Sequence, residues 1–339
     1  MMKQKQLPGG DRLERSRSAA VLYFAGRRRV LSSSPLNGGM RDDLRCVFNY
    51  DELRGDSGRC ELRAPTYREH LAVVAGELGL DPDRATGLST SAHIRNLAVR
   101  SESIGGCTVT ALVTGGVDVN GGRVGDPAAW TEREGVPEPF SPGTVNILLH
   151  LSADLSPGGM ATALMLCTEA KAAVLQELLC ESCYSSSLAT GTGTDGVVVI
   201  ANPESELHLF HAGQHYKLGE VIGRTVHSAL REALFLQTGL CPEQQHSALR
   251  RLKRYGISDV APQLDQNPAV VAAASLCAHL LDQLEWGMLT PAGAAQAANV
   301  VLNSLEPLCG RKSVTIAPQE DTRAVFDDII REISSMIAS

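Results

Sequence analysis

The sequence predicts an α/β fold: a layered, mixed β-sheet with packed helices, followed by a C-terminal all-helical extension. Two observations carry this. Through about residue 240, short β-branched or alternating apolar runs interleave with longer segments of helical period. After Cys241-Pro242 the strand-like runs stop and four helical patterns follow one another. The organisation reads as an N-terminal arm over 1–17, an α/β domain over 18–240 and a helical extension over 241–339.

Each element has its own signal. The arm scatters Lys3, Lys5, Arg12, Arg15 and Arg17 among glycine and serine, which predicts a flexible, solvated segment. Ala19–Leu31 reads as two short strands around Gly26-Arg27-Arg28-Arg29, and Leu44–Asn49 as another. Thr66 followed by Glu69 is a capping box opening a helix to about Leu78. Thr108–Val113 alternates and then reaches Gly115-Gly116, a strand ending in a turn. Thr144–Leu151 is a strongly apolar strand, and Pro157 to about Cys180 a long helix. Val197–Ala201 and Leu207–Phe210 read as strands joined in a hairpin across Asn202-Pro203-Glu204, and Leu218 to about Leu236 as a helix. In the extension, His246–Tyr255, Pro268–Leu284, Pro291–Leu305 and Arg323–Ile337 read as helices. Their alanine stripes suggest close packing, and three roles stay open for them: dimerisation into a homo-oligomer, a lid, or plain packing.

Composition excludes several classes of function. A net charge of −7 leaves no basic footprint for nucleic acid. Hydrophobic residues make up 43% and aromatics only 4%, which suits a core packed by small aliphatics. No stretch approaches the ~20 apolar residues of a membrane span, and the basic start is not followed by a signal-type apolar run. Nine irregularly spaced cysteines then predict reduced thiols in a cytoplasm.

The richest stretch is Ala189-Thr190-Gly191-Thr192-Gly193-Thr194-Asp195-Gly196, which runs straight into Val197-Val198-Val199-Ile200. Its glycines fit GxGxxG, but a dinucleotide fingerprint needs strand, glycine loop and then a helix. Here a strand follows the loop. The stretch therefore reads as a loop offering backbone N–H groups, hydroxyls and one carboxylate to a polar ligand. A second such loop, Thr114 to Asp126, carries Asn120, Arg123 and Asp126 among five glycines. Gly143-Thr144-Val145-Asn146 opens a strand with Thr144 and Asn146 on one face, and Asn37-Gly38-Gly39 is a third loop.

On the long helix, Met160, Leu164, Cys167, Lys171, Val174 and Leu178 share one face. A lysine inside an apolar stripe needs a partner or a role, because an unpaired buried ammonium is costly. Thr168 adjoins that face and Glu169 lies on the opposite side. His208, His211 and His215 do not align as metal ligands on a strand broken by Gly213, so no metal site is read there. His215, beside Lys217 and Gly219 at a helix entry, is a candidate general acid or base. Cys180-Glu181-Ser182-Cys183 ends a helix, and so lacks the helix N-terminus that activates a redox thiol.

Taken together, these pieces resemble the adenosylcobinamide amidohydrolase family (CbiZ). The matching stretches are Val30–Ser33 with Asn37–Gly39, Arg95-Asn96, Val109–Asp126, Gly143–Ile147, Thr168–Lys171, Ala189–Gly196 and His215–Glu220, in family order. The chain departs from the family pattern at Asn120-Gly121-Gly122 and Arg123-Val124-Gly125-Asp126. The resemblance implies hydrolysis of the amide between the corrin propionyl side chain and aminopropanol, giving adenosylcobyric acid and 1-amino-2-propanol in corrinoid salvage and remodelling. It implies a corrinoid substrate that brings its own cobalt, with no cofactor required of the protein. Catalytic candidates are then Lys171, Glu169, Asp195, His215 and Thr168. Substrate-binding candidates are Asn37, Gly38, Asn96, Asn120, Arg123, Asp126, Thr144, Asn146, Thr190, Gly191, Thr192, Gly193, Thr194 and Lys217. Asp195 or Glu169 would act as base on water with His215 or Lys171 as acid; a threonine nucleophile activated by Lys171 is the rival. A non-catalytic corrinoid-binding protein, and an amidohydrolase acting on a complete cobamide, are the alternatives.

Overall fold

The computed structural model describes residues 3–53, 62–128 and 144–339. Gly143, one of the glycines singled out above, lies outside them. The strands are β1 (Lys3–Gln6), β2 (Arg12–Arg15), β3 (Ala19–Tyr23), β4 (Arg29–Ser32), β5 (Gly39–Arg41), β6 (Cys46–Asp51), β7 (Ala85–Thr90), β8 (Ala98–Ile104), β9 (Cys107–Gly115), β10 (Gly121–Gly122), β11 (Val145–Leu151), β12 (Asp154–Leu155), β13 (Gly191–Thr192), β14 (Gly196–Ala201) and β15 (His208–Leu209). The helices are α1 (Tyr67–Glu77), α2 (Pro157–Glu177), α3 (Lys217–Thr238), α4 (Ala248–Leu252), α5 (Pro262–Asp265), α6 (Pro268–Glu285), α7 (Pro291–Cys309) and α8 (Thr322–Ile337). Among the described residues, no helix is long and apolar enough to cross a membrane.

The chain divides into two compact units, residues 1–184 with 188–240, and residues 185–187 with 241–339. The first is a mixed α/β structure with two main sheets. One sheet runs β1-β2-β3-β6-β7 and the other β5-β4-β14-β11-β9-β8. In each, a helix crosses between parallel neighbours: α1 joins β6 to β7, and α2 joins β11 to β14.

Strand parity explains the layering. Val145, Ile147, Leu149 and Leu151 of β11 pack with α2 and α3, in a cluster that includes Met160, Val174, Ile222 and Leu230. Leu148 faces the first sheet instead, together with Val198 and Ile200 of β14 and Leu22 and Val47 opposite. Phe48 and Tyr50 of β6 point away from that layer, onto Leu71 and Val74 of α1. Strands buried on both faces read as continuous apolar runs. The polar inter-sheet residues of β11 sit toward its ends. Asn146 donates to Asn49 Oδ1 at 2.9 Å, and His150 Nε2 lies 3.0 Å from Asp11 Oδ2.

Two expectations are corrected. The N-terminal arm is not frayed: β1 pairs antiparallel with β2 and β2 with β3, and Leu13 is buried. An edge strand tolerates the alternating charges that suggested a solvated arm. The expected hairpin after β14 does not form. Both edges of β14 are already occupied by β11 and β4, so β15 pairs in parallel with β12. The Thr66 capping box is present, with Glu69 N donating to Thr66 Oγ1 and Thr66 N to Glu69 Oε2.

The second unit is helical, with Val270, Ala274, Cys277, Ala294, Ala298, Ile329 and Ile333 in one core. Asn267, Thr290 and Asp321 cap α6, α7 and α8 through their side chains. Arg254 makes paired bonds to Asp282 at 2.7 and 2.6 Å.

Candidate functional site

The two glycine loops, 65 or more residues apart in sequence, are joined in space. β10 and β13 pair antiparallel, Gly121 opposite Thr192 and Gly122 opposite Gly191. Thr190 N donates to Gly122 O at 2.9 Å, and Val124 N to Thr190 Oγ1 at 2.9 Å. Asp126 Oδ2 accepts from Arg123 N at 2.7 Å and from Ser182 Oγ at 2.6 Å. Tyr184 Oη donates to Asn120 Oδ1 at 2.8 Å.

Lys171 has its partner in Asp195, to which its Nζ donates, and both side chains are 12% exposed. Asp195 is densely bonded: Oδ1 accepts from Val145 N at 2.8 Å and Thr192 Oγ1 at 2.6 Å, and Oδ2 accepts from Thr192 N at 3.0 Å as well as from Lys171. The carboxylate thus ties the loop to the start of β11 and anchors the ammonium. Gly191 makes room for the pair. A Cβ there would stand 2.5 Å from Asp195 Oδ2 and 2.7 Å from Lys171 Nζ. Thr144 Oγ1 donates to Thr194 O at 2.6 Å and holds the loop from beneath.

Lys171 opens onto a cavity of about 520 Å³. Its walls are Asn120, Gly122, Arg123, Val124, Asp126, Pro127, Ala128, Tyr184, Thr190, Gly191, Thr192, Gly193 and Thr194. That volume lies in the range of small-molecule sites, about 300–1,000 Å³.

The structure thus gathers Asn120, Arg123, Asp126, Lys171, Thr190, Gly191, Thr192, Gly193, Thr194 and Asp195 in one place, with Thr144 as a support. Other candidates lie elsewhere. Glu169 is exposed in a separate groove between α2 and α3, where Gln214 Nε2 donates to it at 2.6 Å. Thr168 bonds back to Met165 O on its own helix. His215 is exposed in the loop before α3, and Lys217 pairs with Glu220 at 2.8 Å. Asn37, with φ of 51°, donates to Pro82 O and Ala85 O at 2.7 Å each, and a Cβ at Gly38 would collide with Ser34 O. Both hold a turn. Asn96 donates to Gln237 Oε1 at 2.8 Å. Asn146 turns between the sheets, away from Lys171.

Tyr184 and Ser182 belong to the cavity but were not singled out from sequence. Their segment has no apolar period, and nothing local shows that Cys183 N reaches Gly121 O. Cys180, the first cysteine of the CxxC, is buried, which pushes its thiol up to about 12. Among the described residues no group of three or more His, Cys, Asp and Glu side chains is placed to hold a metal ion.

Comparison with known proteins places this geometry in context. The profile of the family described as adenosylcobinamide amidohydrolase (CbiZ) matches residues 4–242. An uncharacterized protein of Methanocaldococcus jannaschii, MJ1613, is 36% identical over 183 residues, which is 50% of this chain and 71% of that protein. Among solved structures, the PH0078 protein of Pyrococcus horikoshii OT3 aligns over 75% of this chain and 89% of its own, at 13% identity and a TM-score of 0.33.

Proposed function

Because the chain belongs to the adenosylcobinamide amidohydrolase family, we propose that it hydrolyses the amide joining the corrin propionyl side chain to aminopropanol, releasing adenosylcobyric acid and 1-amino-2-propanol. The Lys171–Asp195 pair in the wall of a cavity built from both glycine loops supports this reading most directly. The cavity takes the amide arm, while the corrin ring stays outside against the loop rims. Asn120, Arg123 and the backbone of Thr190–Thr194 offer donors and acceptors to its amides.

Amide hydrolysis needs a nucleophile, charge stabilisation at the carbonyl oxygen and a proton for the leaving amine. Asp195 already accepts from four donors, so it has little capacity left for a water. One of those donors is the Thr192 hydroxyl, at 2.6 Å. This favours Thr192 as nucleophile. Its proton passes to Asp195 as Oγ1 attacks the carbonyl carbon, and Lys171 faces the developing oxyanion. When the C–N bond breaks, the amine nitrogen takes a proton from Lys171. Water then cleaves the acyl-threonine ester, giving the carboxylic acid and restoring the hydroxyl. Glu169 and His215, in their separate positions, take no part in these steps.

The test is to incubate the protein with adenosylcobinamide and to look for both products by mass spectrometry. Wild type should form them and Lys171→Met should not. Wild-type turnover by Lys171→Met removes the lysine from the mechanism, and product from Thr192→Val returns the attack to water. Tight binding without product makes the protein a corrinoid carrier. Faster turnover of a complete cobamide than of cobinamide reassigns the substrate.

A further inference from the structure

A second functional pair lies at the same end of the two-sheet stack. Asp51 closes β6, is fully buried, and its Oδ2 lies 3.2 Å from His93 Nδ1. Asp51 Oδ1 is held by Leu53 N at 3.0 Å. The His93 side chain is 21% exposed, and its Nε2 has no hydrogen-bond partner among the described residues. The loop that carries it is fixed to α3 through Gln237 Oε1, which accepts from His93 N at 3.0 Å and from Asn96 Nδ2. A carboxylate on Nδ1 fixes the imidazole tautomer, orients the ring and leaves Nε2 as a basic lone pair. That is the arrangement of a histidine serving a metal ion.

The Asp51–His93 pair sits close to the amide cavity. Asn49, two residues before Asp51, bonds Thr114 of β9 and Asn146 of β11, next to the Val145 N–H that holds Asp195. A Cβ on Gly116, just past β9, would stand 3.9 Å from Ala92 Cβ. Two strand spacings, from β14 across β11 to β9, separate the two places by about 10 Å.

The substrate class supplies the rest, so the inference rests on the function proposed above. In a corrinoid the arm bearing the scissile amide hangs from the lower face of the ring. Cobinamide lacks the nucleotide base that would otherwise fold back to cobalt from that side. When the arm enters the Lys171 cavity, the open axial position therefore faces the protein. Four ring nitrogens already hold the cobalt, so one side chain suffices.

We propose that His93 Nε2 ligates the cobalt of the bound corrinoid from its lower face, with Asp51 as the positioning carboxylate. Other histidines are differently engaged. His70 has both ring nitrogens bonded and His150 is buried. His208 also carries a carboxylate on Nδ1, Asp154 at 3.0 Å, but it lies beyond the opposite end of β11. It is the natural control.

The experiment is electron paramagnetic resonance of cob(II)inamide bound to the full chain, read beside the hydrolysis assay. With wild type, each cobalt hyperfine line should split into a triplet from one axial ¹⁴N, and into a doublet when the protein carries ¹⁵N-histidine. The isotope arm needs no variant, so it does not depend on a variant's folding. His93→Ala should abolish the splitting and His208→Ala should keep it. Unsplit lines from bound corrinoid, or splitting that survives His93→Ala, overturn the ligation. If wild type also yields product, the hydrolase reading stands without it. No bound corrinoid together with no product overturns both.

Discussion

Gly191→Ala separates the seating of the Lys171–Asp195 pair from the stability of the fold. The backbone of Gly191 is not in the left-handed region, so an added methyl brings only its volume. That volume falls 2.5 Å from Asp195 Oδ2 and 2.7 Å from Lys171 Nζ. Asp195 has three other donors holding it, whereas the ammonium ends a flexible four-carbon stem. The clash is therefore relieved by displacing the lysine. Overpacking in a rigid core costs about 1–3 kcal/mol, but a mobile tail brings this to about 1 kcal/mol or less, further offset by the gain from replacing glycine, about 0.4–1 kcal/mol. Catalysis is less forgiving, since a displacement of about 1 Å in a reacting group costs on the order of 100-fold. Thermal unfolding should shift little while kcat for adenosylcobinamide hydrolysis falls about 100-fold. The companion is Gly193→Ala, whose Cβ would meet only Asn120 at 3.5 Å, an ordinary contact. It should disturb KM more than kcat. Wild-type kcat in Gly191→Ala, or a loss in Gly193→Ala of the same size, refutes the argument that the pair must seat against Gly191.

Two further predictions test the scaffold. Burial pushes the Asp11 carboxyl up, but bonds from His150, Arg28 and Ala25 N outweigh it and leave the group below the usual carboxylate value. A depressed folded-state value means that this stabilisation is complete above the unfolded value of about 3.9 and is lost as pH falls through the folded one. Asp11→Asn should therefore flatten the acid limb of a denaturation series below about pH 4, and at neutral pH should cost about 3–5 kcal/mol by stranding the buried Arg28 charge; an unchanged acid limb contradicts this. Alkylation of the native protein should modify exposed Cys183 and spare Cys167, Cys180 and Cys277, whose thiols burial pushes up to about 12. Peptide mapping reads the pattern, and native labelling of Cys167 would show that its core opens.

Some residues were legible because their signal is local. Thr66 and Glu69 are three apart and cap a helix wherever that helix packs. The Lys171 position in an apolar stripe demanded a partner before the partner was known. Asp195 was visible as the one carboxylate of its loop, but nothing in either segment says that the two meet. Two strands, β7 and β8, escaped notice because Ala85–Thr90 is small and hydroxylic and Ala98–Ile104 alternates charges at a sheet edge. The family's Thr168-Glu169-Ala170-Lys171 stretch illustrates the limit of motifs. Neighbours on one helix point to different faces, so Glu169 and Lys171 open onto different hollows.

By itself, the sequence determined the α/β class, the helical character after residue 240, most helix positions and the two glycine loops, because periodicity, capping and turn chemistry act over a few residues. Tertiary structure alone decided that β10 and β13 zip those loops into one wall. It also decided that Asp195 accepts four donors instead of standing free as a base, and that Asp51 turns His93 with its Nε2 left open. These are contacts between segments about 40 to 70 residues apart. Which segments meet is set by strand order and by which sheet edges are already filled, and no local pattern carries that information.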